Sequence, residues 1–405
     1  MSVNSTSFSQ SRAVGSLAAL YIFRMLGLFM VLPVLSLSGE DYVGSNVFLL
    51  GVALGIYGLT QALLQIPFGL LSDRFGRKPL IFLGLLLFAV GSIVAALAES
   101  VQGLIIGRAL QGAGAIAGVI MAMVGDLTSV ENRTKAMASI GASIGVAFAL
   151  ALVVGPFIAS LTIADVSGIR LLFWAAVALS IIGIGVLCWA IPSAASVQQK
   201  VTQLSLAHLK AVIKAPQSVL LYLGVFSLHY VLMALFVMMP LLLESALLPR
   251  DEHSWVYLVV MLLSFVVMIP LMIVGEKKQC VKALIVSMII LLIITLFVIA
   301  ISPQYLWLLI TCLGMFFIAF NYLEANLPSL LTKILPPESK GAGSGVFATC
   351  QFLGAAFGGI VGGNLYSHWG IEAVIISTVG VLVCWLIAAR WMVIPERSSK
   401  QNVVG

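Results

Sequence analysis

Charge is scarce in this chain. Asp, Glu, Lys and Arg together make up 9% of its 405 residues, while hydrophobic residues make up 61%. Soluble domains carry about a quarter charged residues, so a soluble fold of this length could not clothe its surface. The excess apolar surface must face lipid. Cysteine is also thin. Cys188, Cys280, Cys312, Cys350 and Cys384 are scattered, four of them inside apolar runs of sequence, with no metal-ligand spacing or disulfide framework. No metal pair, Ser/His/Asp set or Cys-x-x-Cys redox pair occurs, and no G-x-x-x-x-G-K-[ST] string is present to bind ATP as a direct fuel. The net charge of +6 sits singly or in small groups between apolar runs, a pattern of membrane topology and not of a nucleic-acid-binding face.

What the chain has in abundance is membrane-length hydrophobic segments. A span needs about 20 apolar residues, and twelve are expected: 14–35, 47–71, 79–98, 101–124, 137–161 and 171–192, then 218–243, 255–275, 283–301, 305–330, 342–365 and 370–393. The first is too long for a signal-peptide core and reads as a retained helix. The polar stretch 193–217 divides the chain into an N-terminal six-helix bundle (1–192) and a C-terminal bundle with a short tail (218–405). With the N-terminus placed in the cytoplasm, 17 of the 21 Lys and Arg residues fall on the cytoplasmic side, leaving Arg170 and Arg250 outside and Arg24 and Arg108 within spans. Both termini are therefore expected in the cytoplasm. The halves also repeat: Leu28-Phe29 with Pro33 recurs as Leu235-Phe236 with Pro240 at an offset of 207, which suggests two parallel repeats.

Between the second and third spans stands Gly69-Leu-Leu-Ser-Asp73-Arg74-Phe-Gly76-Arg77-Lys78-Pro79. A basic cytoplasmic loop would account for its three cations but not for Asp73 and two glycines at this spacing. The string resembles the signature loop of the major facilitator superfamily. Arg108-Ala-Leu-Gln111-Gly112 is similar to a second motif of that family, and Gly155-Pro156 to part of its antiporter motif. The run from Arg24 to Pro33, with Gly58-Leu-Thr-Gln61 and Gln65-Ile-Pro67-Phe-Gly69, resembles the YajR-type bacterial branch of proton-driven efflux proteins. The resemblance implies an all-α fold of twelve transmembrane helices in two pseudo-symmetric six-helix bundles. It also implies that Asp73 meets the N-terminus of the eleventh helix when the cytoplasmic side is shut. There a carboxylate can accept hydrogen bonds from free N–H groups. Asp126, at the end of the fourth span, is the expected partner of Arg77.

Polar groups inside spans each need a reason, because a charge at helix centre costs about 2.5–3.5 kcal/mol on insertion scales. Glu324 is the only acid well inside a span, with Asn321 and Pro328 at helical spacing around it. Proton binding is the reading adopted for Glu324, against hydrogen-bonded packing or direct substrate contact. His229, midway along the seventh span, is a second proton-coupling candidate, although a lone histidine in a helix is usually a packing residue. Arg24 and Arg108 cannot discard their charge and are assigned to a central cavity with Tyr57, Gln61, Gln65, Gln111 and Asn321. Tyr57, Gln61 and Gln65 recur every four residues, a stripe that serves equally as interhelical glue or cavity lining. Gly145, Gly155 and Pro156, like Gly141 and the glycines Gly345, Gly354, Gly358 and Gly362, are assigned to close helix packing between the halves.

The expected function is secondary active transport, not enzyme catalysis: a proton-coupled antiporter exporting small amphipathic or drug-like molecules across the bacterial inner membrane by alternating access. The antiporter motif is degraded, with Ala142, Ala151, Ala159 and Ser160 where further glycines belong. A symporter or uniporter for a small, anionic metabolite is therefore the alternative, favoured by the two arginines. The partners expected are a small-molecule substrate, protons and the lipid bilayer, with no cofactor and no nucleic acid, and the chain is expected to act as a monomer.

Overall fold

The computed structural model describes residues 3–128, 130–163, 166–191, 212–336 and 339–393. Most of the 193–217 linker thus lies outside the described residues. Twelve long helical arms are present: α1 (Val3–Phe29), α2 (Val47–Phe75), α3 (Arg77–Leu97), α4 (Val101–Ala113, resuming at Ala117–Leu127), α5 (Val130–Ala159), α6 (Gly168–Ala190), α7 (Pro216–Ser245), α8 (His253–Lys277), α9 (Val281–Ile301) and α10 (Leu306–Ile334). The last helical stretch, Lys340–Ala389, turns at Gly370 (φ 76°, ψ −166°) into two arms, α11 (340–369) and α12 (371–389).

Local chemistry sets several ends. The Asn46 side chain accepts from the Leu49 N–H at 2.8 Å and caps α2, and Ser100 caps α4 through the Gly103 N–H at 3.3 Å. Pro33 cannot supply the N–H that would close a helical bond to the Phe29 carbonyl. Helix α1 accordingly stops at Phe29, and a separate turn, Leu32–Leu35, follows with Pro33 in its first turn. The matching Pro240 is carried inside α7 without a break.

Three expectations need correcting. The string from Gly69 to Phe75 is not a loop: α2 runs through it, and only Gly76 separates α2 from α3. Nothing in that stretch breaks a helix. Gly76 takes φ 95°, which a side chain would resist, and Pro79 is tolerated in the first turn of α3. The fourth span is not continuous either. It opens at residues 114–116, where Gly114 lies so close to the Gly84 carbonyl that a Cβ would collide with it. The third concerns α11. Gly354 and Gly358 face the α7 carbonyls of Phe226 and Tyr230, within the second set of helices, whereas Gly359 and Gly363 meet α2 of the first. Gly345 has nothing near it.

The packing scheme repeats. α1 lies on α5, α2 on α4, α3 on α4 and α6, and in the second set α8 and α9 lie on α10. α7 lies on α11, and Lys282 at the start of α9 reaches the Arg390 carbonyl at the end of α12. Between the sets, α2 packs on α11 and α5 on α8, the pairing a pseudo-twofold axis produces. The α2–α11 crossing is backbone on backbone. A Cβ on Gly58 would lie 2.7 Å from the Phe352 carbonyl, and one on Gly51 2.7 Å from the Gly363 Cα.

That crossing occupies only the half of α2 nearest Val47. Beyond Gly58 the two helices part: Leu63, Ile66 and Leu70 are exposed, and Gly69, Gly341 and Gly345 have no neighbour within 4 Å. At the Val47 end the halves are joined again, by Ser36 Oγ donating to the Phe236 carbonyl at 2.8 Å and by Phe148 of α5 against Phe317 and Phe320 of α10 (centroids 6.0 and 5.7 Å). The molecule is shut at the Val47 end and open at the Asp73 end.

Candidate functional site

At the open end, Asp73 is the last acid of α2 and pairs with Arg77, four residues on, across the Gly76 break. Arg77 also binds Asp126 at the end of α4 (3.1 Å) and Ser72 Oγ (2.6 Å), so one guanidinium ties α2, α3 and α4. Ser72 is a member that sequence reading missed, though its hydroxyl stands beside Asp73 in the motif. No hydrogen bond from Asp73 to α11 exists among the described residues. Lys78 turns away from this group, donating to the Cys188 and Ile191 carbonyls at the end of α6 (3.3 and 2.8 Å). Arg74 stacks over Phe75, and Gly69 faces open space.

The residues assigned to a cavity in the first half are sealed between helices in this conformation. Arg24 is 1% exposed, and Gln61, Arg108 and Gln111 are 0% exposed. Arg24 Nη2 donates to Tyr57 Oη (3.1 Å), Gln61 Oε1 (2.7 Å) and the Gly114 carbonyl (2.8 Å), the last lying in the break of α4. Gln61 passes the chain on to Gln65 at 3.1 Å. Arg108 donates to the Ala53 carbonyl and to Gln111, stacks over the Tyr57 ring, and Gln111 reaches Ser92. The stripe on α2 therefore joins α1, α2, α3 and α4. Asn321, also assigned to the cavity, instead donates to Ser264 Oγ of α8 at 2.8 Å, because its side chain points across to α8 while Glu324, three residues on, points to α7 and α11.

Glu324 and His229 come together. His229 Nε2 lies 3.7 Å from Glu324 Oε2, and both are bridged by Gln351 of α11: its Nε2 is 2.8 Å from His229 Nε2 and 3.3 Å from Glu324 Oε1. His229 Nδ1 faces the Val225 carbonyl at 3.1 Å, and a carbonyl can only accept, so Nδ1 carries the proton. In the neutral ring Nε2 then offers a lone pair, which the Gln351 amide fills. Glu324 is 28% exposed at its side chain, and Phe320, one turn before it, packs on Phe148 of the other half. Gln351 was missed in the sequence, although a lone amide in an apolar span carries the same signal that marked Gln61.

Of the packing residues, Gly155 backs onto the Met30 carbonyl of the first span's break, with Pro156 beside it inside α5. Gly145 and Gly141 have no neighbour within 4 Å, so neither is a close-packing position here.

Twelve lipid-length helices in two matching sets, a charged hinge at the α2–α3 junction and a polar centre reached from one end define a secondary transporter. Residues 17–359 and 323–404 match the family model described as Major Facilitator Superfamily. Over 395 residues the chain is 42% identical to the inner membrane transport protein YajR of Escherichia coli strain K12, covering 97% of this chain and 86% of that one. It belongs to the major facilitator superfamily and is an inner-membrane, multi-pass transporter, not an enzyme. A third of it is 33% identical to a third of the class B tetracycline resistance protein of Escherichia coli. The D-xylose–proton symporter structure superposes with a TM-score of 0.74 over 95% of this chain and 98% of that one, at 16% identity.

Proposed function

We propose that the chain is a proton-coupled antiporter that exports small amphipathic molecules, with Glu324 as the proton carrier and His229 as its partner. The observation that carries this reading is that Glu324, the one acid deep in a span, lies beside a histidine and is partly exposed, with its buried Oε2 left without a hydrogen-bond partner. The arrangement of Lys and Arg makes the open, Asp73 end cytoplasmic, with both termini inside. A proton carrier must present different surroundings in the two states, since a ligand held equally by both shifts nothing. Glu324 meets this condition because closing the Asp73 end would remove its access to water. Export is supported by the similarity to a tetracycline resistance protein and by Gly155-Pro156.

In proteoliposomes loaded with a panel of fluorescent amphiphilic dyes, the native chain is expected to move dye up its own concentration gradient when a pH gradient is imposed. Glu324→Gln keeps the shape but cannot titrate, so it should exchange dye for dye and lose gradient-driven movement. Full gradient-driven transport by Glu324→Gln would remove the assignment. Symport is separated by sign, because substrate-coupled proton flux then runs with the dye.

A further inference from the structure

The amide of Gln351 has two N–H groups, and the geometry commits both: one to the bare Nε2 of His229, one to Oε1 of Glu324. This arrangement fits only a site with no proton on His229 Nε2. A proton added there places N–H against N–H, which repels. The amide must then turn to present its carbonyl or let go. Gln351 is thus the one group whose orientation depends on the protonation of the site, and it belongs to a different helix from either titrating residue. It stands next to Phe352, whose carbonyl faces Gly58 within the α2–α11 crossing. On α7 the next tyrosine, Tyr230, is engaged by Ser377 of α12. Among the described residues no Lys or Arg nitrogen lies within 4.0 Å of Glu324.

From this we propose that Gln351 is the positioning residue that transmits the protonation of the His229–Glu324 pair to the α2–α11 crossing, and so to the opening of the Asp73 end. The proposal rests on the proton-carrier reading of Glu324. It adds that the proton is read by α11 through a neutral amide, and that removing the amide separates proton binding from movement.

The test uses the full chain with its native cysteines replaced, reconstituted in lipid nanodiscs, with spin labels at Leu70→Cys and Gly341→Cys, both exposed at the open end. Distance distributions are recorded across pH, and infrared difference spectra follow the protonated carboxyl band that Glu324→Gln removes. The native chain should show both a titrating carboxyl band and a distance change that follows it. In Gln351→Met the carboxyl band should persist while the distance change is lost. Gln351→Asn, whose amide falls one methylene short of bridging both partners, should show the same loss and serves should the Met variant misfold. A distance change that still follows pH in both variants would overturn the role of Gln351 alone. A native chain whose Glu324 band does not titrate would overturn the proton-carrier reading, and this proposal with it.

Discussion

A guanidinium cannot shed its charge when buried, so Arg24 must be held by what surrounds it. Three acceptors converge on its Nη2, and none is an acid. One of them, the Gly114 carbonyl, lies in the break of α4, where it also accepts from the Ile116 N–H at 2.8 Å. The break and the cation are therefore one structural unit, in which Arg24 splices α1 onto α2 and α4. Removing it leaves the Gly114 carbonyl with the Ile116 N–H (2.8 Å) and Gln61 Oε1 with a long contact from Tyr57 Oη (3.4 Å), so the loss stays below the roughly 1–3 kcal/mol of a fully unsatisfied buried group. The guanidinium's own desolvation cost disappears at the same time and offsets part of the loss. Arg24→Met is expected to lower the melting temperature in detergent while keeping dye exchange in proteoliposomes, because the residue is sealed from the open end. A stable Arg24→Met protein that has lost exchange would instead make Arg24 part of the transport path. The second buried cation differs: Arg108 is held by Gln111, the Ala53 carbonyl and the Tyr57 face, within one motif and its neighbouring helix.

At the scale of helices, the α2–α11 crossing decides which end is shut. Its contacts are between backbones, so volume added there has nowhere to go. A side chain at Gly55 would meet the Ala356 carbonyl and Ile360. Overpacking of this kind costs about 1–3 kcal/mol, which corresponds to roughly a 5- to 150-fold shift between two states. Gly55→Leu is expected to push the Val47 end apart and close the Asp73 end, shortening the distance between labels at positions 70 and 341. An unchanged distance would mean that the crossing is not the pivot. Much of this architecture was legible in the sequence. Membrane-length runs marked all twelve spans, because span length is imposed by the bilayer and not by tertiary contacts. Boundaries were less legible. The stretch Gly69 to Phe75 was expected as a loop because its motif stands between two spans, but polar residues at a membrane surface do not unwind a helix. Which glycines of α11 face which neighbour was not legible either, since Gly358 and Gly359 differ by one residue and about 100° of helix. The link between His229 and Glu324 was invisible for a related reason: it runs through Gln351, on a third helix far away in sequence.

For the molecule as a whole, each half carries an ion pair between two of its own helices at the open end. In the first half Arg77 binds Asp126. In the second half Lys333 of α10 pairs with Glu276 at the end of α8 (3.7 Å). Both pairs are partly exposed and individually weak, and each lies within one half, so neither holds the protein open. What differs between states must lie between the halves. Here Asp73 is taken up by Arg77, while α11 starts free of it among the described residues. If the carboxylate caps the start of α11 only when the Asp73 end is closed, that contact belongs to one state alone and can bias the balance. Asp73→Asn keeps the shape and weakens the cap, so the chain should favour the open arrangement more strongly, losing the short 70–341 distances. Gly55→Leu acts in the opposite sense, at a site 18 residues away on the same helix, about 27 Å along its axis at 1.5 Å per residue. Two sites so far apart, sharing no partner, are expected to contribute additively. The double variant Gly55→Leu/Asp73→Asn should therefore return the distance distribution toward that of the native chain. Observing the Gly55→Leu distribution unchanged in the double variant would show that Asp73 makes no contact specific to the closed state.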